Sequence, residues 1–134
     1  MEIEVAIHEA REPVAVMSIK GKIDASNFVE VINQAQEIYK RPVHNLLLDL
    51  SEVPFISSAG LVAIHKISLI YGGGQQEVEQ EGKETRPDFT HNANARKRVK
   101  LLSPQPGVDK TLEMAGLKLF FKIFDDLESA VQSF

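Results

Sequence analysis

Two adjacent hydroxyls, Ser57 and Ser58, are followed by two small residues, Ala59 and Gly60, and then by the apolar run Leu61-Val62-Ala63-Ile64. That order describes the opening turn of a helix. Free N–H groups collect at such a terminus, and small side chains let another surface approach the backbone. A phosphate on a serine there would sit at the positive end of the helix dipole. The plainer role for Ser57 or Ser58 is an N-cap, and spacing alone favours it, because serine is a preferred capping residue.

The remaining chemistry-bearing residues point away from catalysis. His8, His44, His65 and His91 are scattered, with no H-x-x-x-H pair, so no metal site is expected. The chain has no cysteine. That excludes thiol catalysis, a CxxC redox pair and thiolate zinc, and it agrees with a reducing compartment. Gly72-Gly73-Gly74 follows a helix pattern and lacks the G-x-x-x-x-G-K-[ST] spacing, so it reads as a helix stop and joint, not a phosphate loop. Asp49 closes an apolar run and reads as a solvated turn residue. No nucleophile–base pair or carboxylate cluster stands at workable spacing, so neither an enzyme nor a cofactor is expected.

The chain that must position these residues has 134 of them, with 15 Lys+Arg against 19 Asp+Glu and a net charge of -4. That length suits one domain with a core that needs no disulfide. The mild acidity argues against nucleic acid as a partner. Arg96-Lys97-Arg98-Val99-Lys100 is basic but has no interleaved aromatics, and it reads as a solvated approach to a strand. The N-terminus MEIEVAIHEA has no basic n-region. No stretch nears the roughly 18 apolar residues of a membrane span. A cytoplasmic protein without membrane insertion is expected.

Alternation of Ile3, Val5 and Ile7 with polar or small residues predicts a first strand with one buried face. Val14 and Val16 on one side, and Ala15, Met17 and Ile19 on the other, predict an interior second strand. Asp24 or Ser26 would cap a helix over about 27–40, whose apolar stripe is Phe28, Val31, Ile32, Ala35, Ile38 and Tyr39. A buried strand follows over 45–50, then a helix from Ser57 or Ser58 to the triple glycine. Residues 72–98 hold only Val78 and Phe89 as large apolar side chains, and they read as a flexible insertion within one domain, 1–134. A strand over 99–102 resumes the pattern. A helix follows with Val108, Leu112 and Ala115 inward and Gly116 at C′. Phe120, Phe121 and Ile123 read as a last strand. A terminal helix capped by Asp125 or Asp126 carries Leu127, Ala130 and Val131. The fold class is α/β: a sandwich with a mixed sheet and helices mainly on one face.

Three segments of this layout resemble the STAS domain, specifically the bacterial anti-sigma factor antagonists. Gly21-Lys22-Ile23-Asp24 is similar to the family's G-x-[IL]-D element. Asp49-Leu50 through Phe55-Ile56-Ser57-Ser58-Ala59-Gly60-Leu61 is similar to its signature strand–loop–helix, and Leu112 to Leu117 to its late L-x-x-x-G-L. The resemblance implies a regulatory interaction module that binds a serine kinase acting as an anti-sigma factor and is switched off by serine phosphorylation. Aligned on Gly60, the phosphoacceptor is Ser58. Ser57 stands where many members carry an acid, and is a competing acceptor. The implied partner surface is Asp24, Ser57, Ser58, Ala59, Gly60 and Leu61. A scaffold subunit of a sensory, stressosome-like complex, or a small-ligand or lipid-transport accessory protein, would use the same fold.

Overall fold

The computed structural model describes residues 1–41, 43–72 and 98–134. The expected insertion over 72–98 lies, except for Gly72 and Arg98, outside the described residues. Five strands form one mixed sheet in chain order: β1 (Glu2–His8), β2 (Val14–Lys20), β3 (Leu46–Glu52), β4 (Val99–Leu102) and β5 (Ile123–Phe124). β1 runs antiparallel to β2, and β2 through β5 run parallel to one another. Parallel neighbours need crossovers. Helix α1 (Phe28–Lys40) joins β2 to β3, α2 (Ser58–Tyr71) follows β3, and α3 (Pro106–Met114) with the short α4 (Leu117–Phe120) joins β4 to β5. A final helix, α5 (Leu127–Gln132), ends the chain.

The pleat of β2 divides the core. Ala15, Met17 and Ile19 join Leu46, Leu48, Leu50, Val99 and Leu101 beneath α1 to α4. Val14 and Val16 face the other way, with Leu47 and Leu102 under Ala130 and Val131 of α5. The helices therefore lie mainly on one face, as the alternation predicts, and α5 covers part of the other. α1 and α2 pack side by side, and the buried Tyr71 hydroxyl donates to the Ala35 carbonyl oxygen at 2.7 Å. Burial raises the Tyr71 pKa well above that of a free phenol.

Several local expectations differ from the structure. Ile7, at the far end of edge strand β1, is 43% exposed. Ala115 is exposed because it is the C-cap of α3, and Gly116 beyond it takes φ +80°, the left-handed C′ conformation. Phe120 and Phe121 are not strand residues. They close α4 with buried rings packed edge to face, and β5 starts only at Ile123. Asp126, not Asp125, caps α5, accepting the Ser129 N–H at 2.8 Å, and Leu127 at the first turn is exposed.

Lys100 is the sharpest departure from a solvated basic segment. It is only 5% exposed, and its ammonium donates to Ser133 O at 2.9 Å and Ser133 Oγ at 3.0 Å. The Phe134 ring centroid lies 4.4 Å from Nζ, within cation–π range. Burial first, and Lys122 second, pull its pKa below the usual lysine value.

Candidate functional site

The carboxyl ends of β2, β3 and β4 all point to one end of the sheet, the place where ligand and partner sites form in open parallel sheets. Three connections meet there: 21–27, 53–57 and 103–105. The first two are joined as a short extension of the sheet. Gly21 N–H donates to Glu52 O at 3.0 Å, Ile23 N–H to Phe55 O at 3.0 Å, and Ser57 N–H to Ile23 O at 2.9 Å. Ile23 and Ile56 form a parallel bridge, and both side chains are buried. This register sets Asp24 alongside Ser57 and Lys22 alongside Phe55. Gly21 makes the entry possible, because its φ of +110° is a backbone state that side-chain-bearing residues rarely adopt.

At the start of α2 the two serines separate into different roles. Ser57 is the N-cap. Its backbone is extended, and its Oγ accepts the Gly60 N–H at 3.4 Å. Ser58 is the first helical residue and is exposed, whereas Ser57 is half-buried. Ala59 is half-buried and Gly60 buried, with its backbone packed on Ile23. Leu61 is half-buried and packs on the core.

Two apolar side chains outside the implied partner surface are exposed just before and just after Ser58 in the chain: Phe55, 53% exposed, and Val62, 46% exposed. Val62 stands one helical turn after Ser58, so both lie on the outer stripe of α2, followed by exposed Lys66. Phe55 is the signal that was available: an aromatic ring between Pro54 and Ile56, in a connection whose other large apolar side chains, Val53 and Ile56, are already buried in the core. A large ring gains nothing from exposure unless something covers it, whereas Val62 is hidden in a helix that is apolar nearly all round.

Asp24 is not the cap of α1; that place belongs to Asn27. Asp24 instead organises the turn before it. Its Oδ1 accepts the Ser26 N–H at 2.9 Å, its carbonyl accepts from Phe28 N–H at 2.9 Å, and its own N–H donates to Asn27 Oδ1 at 2.9 Å. The Ser26 hydroxyl, then the Ser26 N–H, and to a lesser degree Lys22, hold the Asp24 carboxyl below its usual pKa. Lys22 Nζ lies 3.9 Å from Asp24 Oδ2. Asp24 thus remains charged beside Ser57.

Asp49 departs from the expected turn. It lies inside β3, three residues before the strand ends, and is half-buried on the outer face, accepting from Ser18 Oγ at 3.2 Å and Ser51 N–H at 3.0 Å. Among the described residues, no three His, Asp or Glu side chains are grouped to hold a metal ion. None of the described helices is long and apolar enough to cross a membrane.

The sequence profile of the STAS domain matches residues 6–75, which run from the end of β1 through β2, α1, β3 and α2 and include Asp24 and Ser57 to Leu61. The chain belongs to the STAS domain family. No curated protein matches its sequence. Solved structures match this STAS domain over nearly its full length. A putative anti-sigma factor antagonist from Thermotoga maritima superposes with a TM-score of 0.70 at 17% identity, covering 97% of this chain and 92% of the other. An anti-sigma factor antagonist from Mycobacterium paratuberculosis gives 0.65 at 20% identity, covering 98% and 93%. The anti-sigma factor antagonist SpoIIAA in its unphosphorylated form gives 0.64 at 18%, covering 97% and 93%. The phosphorylated form of the Bacillus SpoIIAA gives 0.59 at 16%, covering 97% and 96%. At these identities the likeness is one of fold: the STAS domain shares the mixed sheet and helical layer of these proteins.

Proposed function

We propose that this STAS domain is an anti-sigma factor antagonist that binds a serine kinase acting as an anti-sigma factor, and that phosphorylation of Ser58 switches it off. The observation that carries the choice of residue is the division of labour at α2. Ser57 spends its hydroxyl on the cap, and Ser58 presents its own at an exposed first-turn position. The contact surface is Ser58 with Phe55 and Val62 around it, the Asp24 turn beside it, and Ala59, Gly60 and Leu61 as the scaffold that lets a partner come close.

The switch follows from charge. A phosphoserine carries about two negative charges at neutral pH. On a surface that also exposes Phe55 and Val62, they would have to be desolvated by a docking partner, at a cost of several kcal/mol unless a cation meets them. The helix tolerates the same charge, because anions at an N-terminus interact favourably with the dipole. Binding is lost while the fold remains. The existence of both unphosphorylated and phosphorylated structures of SpoIIAA, a protein of the same fold, supports this reading. The kinase brings nucleotide, metal and catalytic base, so the STAS domain itself does no chemistry.

The test is direct. A pull-down from native lysate identifies the partner kinase. With that kinase and Mg·ATP, the wild-type chain takes up one phosphate and Ser58→Ala takes up none; the chain with Mg·ATP alone takes up none and hydrolyses no ATP. Labelling that persists in Ser58→Ala moves the acceptor elsewhere, and hydrolysis that scales with the purified chain overturns the non-enzymatic reading.

A further inference from the structure

The turn that presents Ser58 is supported unequally on its two sides. Towards β2 it is held by the three backbone hydrogen bonds from Gly21, Ile23 and Ser57 described above. Towards β4 the register ends at Asp49 opposite Leu102, so the chain beyond Asp49 has left the ladder. There, beyond the burial of Val53 in the core, a side-chain hydrogen bond reaches the chain: Gln105 Nε2 donates to the Ser51 carbonyl oxygen at 2.9 Å.

Gln105 is itself fixed by its surroundings. It is the N-cap of α3, with its carbonyl accepting the Asp109 N–H at 2.7 Å and Pro106 at the first helical position. Pro106 disfavours helical backbone at the residue before it, and Gln105 has φ -65° and ψ 158°. Two residues earlier, Ser103 holds φ +51°, the one non-glycine residue with positive φ among those described. Its N–H donates to Phe124 O at 2.7 Å and its hydroxyl to Asp125 O at 3.2 Å. A non-glycine residue in that region is strained and persists where neighbouring bonds over-determine it. The 103–105 connection is therefore a rigid piece anchored on β5, with the Gln105 amide extended towards β3.

We propose that Gln105 is a positioning residue for the Ser58 site, a strut that holds the Ser51–Ser57 turn from the β4 side. Ser51 is also held from below, its N–H on Asp49 Oδ1, and Val53 N–H closes the turn on Leu50 O at 3.1 Å. With the strut in place the segment is fixed at its start by Ser51 and at its end by Ser57, and Ser58 leaves it in one orientation. Its consequence for partner recognition rests on the function proposed above; its effect on the turn does not.

Amide exchange followed by NMR on the full chain tests the strut without any partner. Gln105→Ala should speed exchange of Val53 and Ser57 by about fivefold, the scale of one net hydrogen bond, while the Leu48 and Leu101 amides keep their wild-type rates. Gln105→Glu has the same shape but no donor and should behave like alanine. Gln105→Lys restores a donor of similar reach and should return the rates towards wild type. Unchanged exchange in Gln105→Ala, wild-type rates in Gln105→Glu, or acceleration spread evenly over the core would each overturn the proposal. With the captured kinase, Gln105→Ala should raise KM for the STAS domain about fivefold and leave kcat unchanged, and Gln105→Lys should recover it. If the wild-type chain is not a substrate at all, the proposed function fails and the exchange measurement still decides the strut.

Discussion

Gly60 lies so close to Ile23 that a methyl group on it would sit 3.0 Å from Ile23 Cγ2 and 3.1 Å from the Ile23 carbonyl oxygen. The second of these atoms is backbone, and that carbonyl is already committed to the Ser57 N–H. It has nowhere to go without breaking the extension that holds the Ser58 turn. Gly60→Ala should therefore destabilise the chain by about 1–3 kcal/mol, the usual cost of overpacking a tight contact. Urea unfolding of the variant measures this, and a midpoint equal to that of the wild type would show that the α2 terminus yields.

The two serines should answer alanine substitution differently. Ser57→Ala removes the cap and should cost about 0.5–2 kcal/mol. Ser58→Ala changes an exposed side chain and should stay within about 0.5 kcal/mol. Thermal melts of both variants separate them; equal losses would mean that both hydroxyls serve the helix.

Ser58→Asp should keep the wild-type melting temperature, since an acid at the first helical turn is acceptable to the dipole. It should weaken binding to the captured partner at least tenfold, about 1.4 kcal/mol. Full phosphorylation should weaken it further, because aspartate carries half the charge. Calorimetric titration reads both, and wild-type affinity in Ser58→Asp alongside lost affinity in Ser57→Asp would transfer the switch to Ser57.

Acid should loosen the end of the sheet opposite the site. Glu12 Oε1 accepts from Asn45 Nδ2 at 3.0 Å and from Arg98 Nη1 at 3.1 Å, and Arg98 also donates to Asn45 Oδ1 at 3.0 Å. The Asn45 hydrogen bond first, then Arg98, lowers the Glu12 pKa below 4.5. A depressed carboxylate contributes stability that is fully present above its unfolded pKa and is lost as pH falls through the folded one. Unfolding measured from pH 6 downwards should therefore show a loss below about pH 4.5 that Glu12→Gln reduces. An identical acid limb in that variant would remove Glu12 from the account.

The amino-acid order alone determined what depends on near neighbours. Alternation assigned Ala15, Met17 and Ile19 to one face of β2 and Val14 and Val16 to the other, because the pleat has period two whatever the strand packs against. It marked Gly116 as a helix terminator and placed a helix start within one residue of Ser58. What it left open turns on distances between segments remote in the chain. Ser57 and Ser58 are equally good caps by composition; the choice was made when Ile23, 34 positions earlier, bound the Ser57 N–H and put its backbone in the extended state a cap requires. Asp24 lost the cap to Asn27 because the same pairing drew its turn towards Ser57. Lys100 reads as a surface cation until Ser133 and Phe134, more than thirty residues on, fold back over it. Gln105 has no signature at all, since a strut is defined by the carbonyl it reaches, and Ser51 is 54 residues away in sequence. Periodicity records which way a side chain points; only the assembled sheet decides what it meets.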